Sequence, residues 1–175
     1  MIVILFLLIG VVLGIKAGAY RMAIHLFCLV VAVYAAVMST PFLLQAGPKF
    51  FLPDWVAALI CLCAVGGLIF AGLDYFLFRF FVRGVDSYFR PLVKIAGGAA
   101  FGLLFGHILW GCLLMLYCLT PLSRWESAEK FMPRQSACAF ASVSVARVCQ
   151  TVASISLDYP EVDPKDITLT LMELQ

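Results

Sequence analysis

The side chains best suited to chemistry in this 175-residue chain are two histidines, one aspartate close to them in the pattern, and seven cysteines. His25 and His107 fall inside long apolar runs, where an ionisable residue is a candidate for a polar or proton path. Asp74, the nearest carboxylate, comes only at the end of its own apolar run. The sequence therefore offers neither histidine an acidic partner within a span, and a neutral imidazole bonded to a backbone carbonyl accounts for both. Cys28, Cys61, Cys63, Cys112 and Cys118 also lie in apolar runs, where cysteine behaves as a small apolar side chain. Cys61-x-Cys63 has neither the spacing nor the neighbours of a zinc site. Cys138 and Cys149 would share a helical face about 16 Å apart at ~1.5 Å rise per residue. That is too far for a mutual disulfide, whose Cα atoms sit ~4.4–6.8 Å apart, although a link between two chains stays open. No nucleophile–His–acid set, phosphate-binding glycine loop or metal spacing appears, so the expectation is no enzyme, no cofactor and no metal.

The elements that carry these residues are apolar helices. Hydrophobic residues make up 64% of the chain and charged residues 13%, with mean hydropathy +1.06, whereas soluble domains carry about 25% charged residues. Four blocks contain no Lys, Arg, Asp or Glu: Met1–Ile15, Met22–Met38, Trp55–Leu73 and Ile95–Leu119. Crossing ~30 Å of hydrocarbon takes roughly 20 apolar residues. The last two blocks meet that outright, and the second is at the lower limit. The first needs residues up to 20, with Lys16 snorkelling. Ala17-Gly18-Ala19 resembles a signal-peptide cleavage site, but no positive region precedes the apolar run as a signal peptide requires.

The expected fold is an all-α integral membrane protein with four transmembrane helices and both termini outside, plus a C-terminal amphipathic helix. Spans of about 1–20, 22–38, 55–77 and 95–119 form a domain over 1–119. An interfacial, amphipathic region covers 120–157, and a flexible acidic tail covers 158–175. Charge orients it. The first gap holds Lys16 and Arg21, and the third holds Arg79, Arg83, Arg90 and Lys94 against Asp74 and Asp86. Short loops rich in Lys and Arg stay cytoplasmic, so these six basic residues form a cytoplasmic anchor.

The gaps differ in kind. The first is short enough for a tight hairpin turn. The second, 39–54, reads as an outer loop, because Pro41, Gly47, Pro48 and Pro53 interrupt helix among interfacial aromatics. In the third, Arg79, Arg83, Asp86 and Arg90 share a helical face opposite Phe81, Val85, Tyr88 and Leu92, which suits the surface of an anionic leaflet, and Pro91 marks the next helix start. Gly98, Gly102 and Gly106 recur every four residues on span four, a face for close helix packing within the bundle or between copies. Past Thr120-Pro121, the residues Ala141, Val145, Val148, Val152 and Ile155 form an apolar stripe opposite Ser136, Arg147, Gln150 and Ser154. That helix would lie on the outer surface or against the bundle. Finally, Ile167–Leu171 alternates as a strand does.

Taken together, these features resemble the colicin V production (CvpA) family of bacterial inner-membrane proteins over roughly residues 1–140. The resemblance rests on the turn Gly14-Ile15-Lys16-Ala17-Gly18-Ala19-Tyr20-Arg21, the basic segment after span three, the Gly98, Gly102 and Gly106 run, and Trp125-Glu126-Ser127 with Pro133. Lys94-Ile95 stands where that family commonly has an Asp-Arg pair, and Phe105 where a basic residue is frequent. Met22 stands where an acid is usual in the first turn.

The resemblance implies a non-enzymatic, multi-pass protein of the inner membrane, linked to toxin production or export and to envelope integrity. Its partners would be the lipid bilayer and other membrane proteins, or a second copy of itself, and no nucleic acid. The rival reading is a small transporter or channel component with His25 and His107 in a polar path.

Overall fold

A computed structural model describes residues 2–46, 53–81, 91–120 and 133–156, together with 166 and 170. The described elements are five α-helices: α1 Ile2–Ala17, α2 Ala19–Ala46, α3 Asp54–Phe81, α4 Pro91–Leu119 and α5 Arg134–Ser156. Four are long and apolar enough to cross a membrane, over Ala19–Leu44, Trp55–Phe80, Pro91–Leu119 and Arg134–Ile155. They are not the expected four. The helix over Val3–Ala17 falls short of that length, and the C-terminal helix meets it. The reason is composition: α5 holds only Arg134 and Arg147 as charges among 23 residues rich in Ala, Val and Ser.

Contacts divide the chain into two compact units. The first combines residues 1–31 with 68–110. Here α1 passes into α2 through one residue, Gly18, whose φ of 83° closes the helix. Its N–H donates to the Gly14 carbonyl at 2.9 Å, and its own carbonyl accepts from Met22 N–H at 3.0 Å. A side chain at this φ strains the backbone, and glycine does not.

Beyond the turn, α1 lies against α4. Gly14 abuts Gly98, Gly10 abuts Gly102, and Gly106 meets the Phe6 carbonyl. As one helix advances by four residues the other retreats by four, so the pair is antiparallel and glycine meets glycine at each turn. Trp110, which is buried, closes the row with its ring 4.9 Å from that of Phe6. α2 and α3 are paired in the same sense: His25 meets Asp74, and the Arg21 guanidinium sits 5.5 Å from the centre of the Phe78 ring.

The second unit combines residues 32–67 with 111–175. Its core joins small residues of α2 and α3 to larger ones of α4: Ala32, Ala36, Val37, Thr40 and Ala58 with Leu114, Met115, Cys118 and Leu119. The expected outer loop begins later than its prolines suggest, because α2 continues through Pro41 to Ala46. Proline lacks the N–H for a helical bond. Beside it, the Ser39 and Thr40 hydroxyls each donate to a carbonyl one turn back, Ala35 and Ala36, at 2.6 Å. On α5, Ala137, Ala141, Val145, Cys149 and Ala153 are buried. Ile155, expected on the apolar stripe, is 76% exposed. Of the expected stripe, Ala141 and Val145 are buried and Val148 and Val152 half-buried, so the helix seats mainly on small residues with Ile155 outside.

Asp166 and Thr170 are helical, with the Thr170 hydroxyl donating to the Asp166 carbonyl. The expected strand over 167–171 finds no support at Thr170, and its other residues lie outside the described ones. Arg83, Asp86 and Arg90 lie outside them too.

Candidate functional site

In the first unit, polar chemistry gathers at one end. The charged side chains among its described residues are Lys16, Arg21, Asp74, Arg79 and Lys94. They come from the end of α1, the start of α2, the last turns of α3 and the start of α4, so the Gly18 turn and the two antiparallel pairings bring them to one level. Lys16 and Arg79 are exposed. Lys94 lies over the turn, its stem so close that a β-carbon on Gly18 would be 2.7 Å from Cε.

One turn inward from Arg21, His25 Nδ1 and Asp74 Oδ1 are 2.6 Å apart, with both side chains about 30% exposed. This corrects the expectation that no carboxylate within the helical bundle pairs with His25. In the sequence Asp74 directly follows a charge-free block. The helix instead continues two turns beyond it, and the antiparallel pairing brings it level with a residue 49 positions away. With a proton on Nδ1 the imidazole donates to the carboxylate, and a second proton on Nε2 converts the pair from net negative to neutral.

His107 follows Gly106 on α4 and is half-buried. Ala19 of α2 abuts Gly97 of α4. From that level His25 and His107 lie six and ten residues along their helices, about 9 and about 15 Å at ~1.5 Å per residue. The two histidines therefore sit at different depths, and the close partner of His25 is on α3.

The glycine face of α4 is occupied within the chain. Gly98, Gly102 and Gly106 are buried against α1. A β-carbon on Gly98 would overlap the Gly14 carbonyl, and one on Gly102 the Gly10 carbonyl. The complementary run of Gly10, Gly14 and Gly18 has the same four-residue spacing. That repeat is legible in the sequence alongside the one on α4.

In the second unit, α5 packs along α4, with a β-carbon on Gly111 falling 3.1 Å from that of Ser144. Its outer face carries Gln135, Ser136, Arg147, Gln150, Thr151 and Ser154, all exposed. The Thr151 and Ser154 hydroxyls turn back to carbonyls of their own helix, Arg147 and Thr151, at 2.8 Å. None of the seven cysteines is bridged in the structure. Among the described residues no group of three or more His, Cys, Asp or Glu side chains is placed to hold a metal ion. In comparisons with known proteins, no family model, no curated protein and no solved structure matches this chain.

Proposed function

We propose that this chain is a non-enzymatic, multi-pass accessory protein of the inner membrane that works by binding another membrane protein, in the manner of the colicin V production type. The observation that carries this reading is the polar outer face of α5. Arg147, Gln150 and Ser154 are exposed on a helix whose other side packs lengthwise on α4. At a helix centre within hydrocarbon an arginine costs about 2.5–3.5 kcal/mol, and a carboxylate on a neighbouring helix offsets that cost. Support for toxin export or envelope maintenance follows from the resemblance around Gly98, Gly102 and Gly106. The basic end, with Lys16, Arg21, Arg79 and Lys94, faces the cytoplasm by the positive-inside rule. The 121–132 connection then lies outside. Reading α5 as one more crossing, which its length and composition allow, turns its Ser156 end toward the cytoplasmic side, whereas the sequence alone suggests both termini outside.

A photo-crosslinking side chain at Gln150, in native membranes, tests the binding reading. The expected result is one protein adduct of defined mass, lost in Arg147→Leu and kept in Arg147→Lys. Adducts to lipid alone, or a protein adduct indifferent to Arg147→Leu, would overturn it.

A second reading has its own observation. The contact between His25 and Asp74 joins two ionisable side chains inside candidate spans, the kind of pair found along proton-coupled paths, and it favours the transporter or channel component. Its test is proton flux in vesicles, taken up in the Discussion.

A further inference from the structure

The last turn of α4 and the first turns of α5 bring together two thiols. Cys118 is fully buried and Cys138 half-buried. The helix packing sets the two at one level. Gly111 contacts Ser144, and the two helices, joined by residues 121–132, run antiparallel. Cys118 is seven residues beyond Gly111 and Cys138 six before Ser144, so both lie at one level to within one ~1.5 Å rise. Leu119 and Ala137, their chain neighbours, are both buried.

We infer that Cys118 and Cys138 form an intramolecular disulfide that ties the end of α4 to the start of α5. This rests on the orientation proposed above, which puts the 121–132 side of the membrane outside, where disulfides persist. The oxidant is a thiol–disulfide carrier. The Cys138 thiolate, the more accessible of the two, attacks the carrier's disulfide and releases one carrier thiol. The Cys118 thiolate then attacks the Cys138 sulfur and releases the second. Two protein thiols lose two protons and two electrons, and the carrier disulfide becomes a dithiol. The bond would fix α5 against α4 and so hold its polar face in a constant position.

The test counts thiols in the full chain. Cells are quenched with a small maleimide during denaturation, and the remaining oxidised thiols are read by polyethylene-glycol maleimide after reduction. The wild type should gain two adducts on reduction and Cys138→Ser none, with the chain monomeric on a non-reducing gel. No gain, or a gain accompanied by a reductant-sensitive dimer, overturns the inference. The purified protein in detergent with oxidised glutathione then shows which premise failed. Closure of the bond there, with none in cells, indicts the orientation. A lasting glutathione adduct or unmodified thiols indicts the geometry.

Discussion

Gly14 and Gly98 each occupy the place where the other would carry a β-carbon, so that α1 and α4 touch backbone to backbone. Without a hydrophobic driving force between helices inside a bilayer, close packing of this kind is a main source of association. Glycine in a helix costs about 1 kcal/mol relative to alanine, and repeating it on both helices makes sense only where the gain in contact exceeds that cost.

The glycine row therefore has a sharp mutational signature. Gly98→Leu or Gly102→Leu should lower stability by about 1–3 kcal/mol or more, the usual cost of overpacking, because the atoms met are carbonyl oxygens that cannot swing aside. Gly67, with nothing within 4 Å of its missing β-carbon, is the internal control. Gly67→Ala should be neutral or stabilising by up to about 1 kcal/mol. Thermal unfolding in detergent, followed by tryptophan fluorescence near Trp110, ranks the three variants. Equal losses at Gly67 and Gly102 would mean that the α1–α4 contact is not what holds the first unit together.

Gly18 should fail for a different reason. Its φ of 83° lies in the left-handed region, where a non-glycine residue costs about 1–2 kcal/mol. A β-carbon would also meet Lys94, but at the far part of a flexible stem. Gly18→Ala should thus lose about 1–2 kcal/mol, and Gly18→Asn less, since asparagine tolerates this region. Adding Lys94→Ala to Gly18→Ala should restore little. Full rescue by Lys94→Ala would show that the conflict is one of space and not of backbone.

What the sequence made legible follows from the range of each signal. The long apolar runs and the α4 glycine repeat are local, and they were readable. The pairing of His25 with Asp74 depends on how α2 and α3 are registered across 49 residues, and no local pattern reports that. Pro41 read as a break because proline's local preference is strong, yet α2 passes through it while the neighbouring Ser39 and Thr40 hydroxyls bond back to carbonyls. On α5 the expected stripe holds at Ala141 and Val145, which are buried, and gives way at Ile155, which is exposed, while Ala137, Cys149 and Ala153 complete the buried face.

The His25–Asp74 contact can be measured directly. Replacing His25 by Gln, Asp74 by Asn, and both together gives a cycle in which contacting residues should show a coupling of about 1 kcal/mol. Function is read in vesicles loaded with a pH-sensitive dye. If the pair carries protons, either single variant should reduce proton flux to that of empty vesicles, while His107→Leu tests whether the second histidine belongs to the path. Flux at the empty-vesicle level in the wild type would remove the transport reading and leave the accessory one.

The side of the membrane reached by the C-terminus decides what Arg147 does. α5 is 23 residues long, about 35 Å at ~1.5 Å per residue, and it packs on α4 at Ser144 and Gly111, eight residues in from the end of α4. A helix lying flat on the outer surface would not follow α4 inward by that distance. In a cysteine-free background, Ser127→Cys should react with an impermeant maleimide from outside, and Glu173→Cys only after the inner membrane is broken. Reaction of both from outside would return α5 to the surface. Arg147 would then be a solvated residue of an amphipathic helix, with no energetic reason to seek a partner's carboxylate. Reaction of Glu173→Cys only from the cytoplasmic side would leave Arg147 within the bilayer, where its charge must be met by another chain or by water.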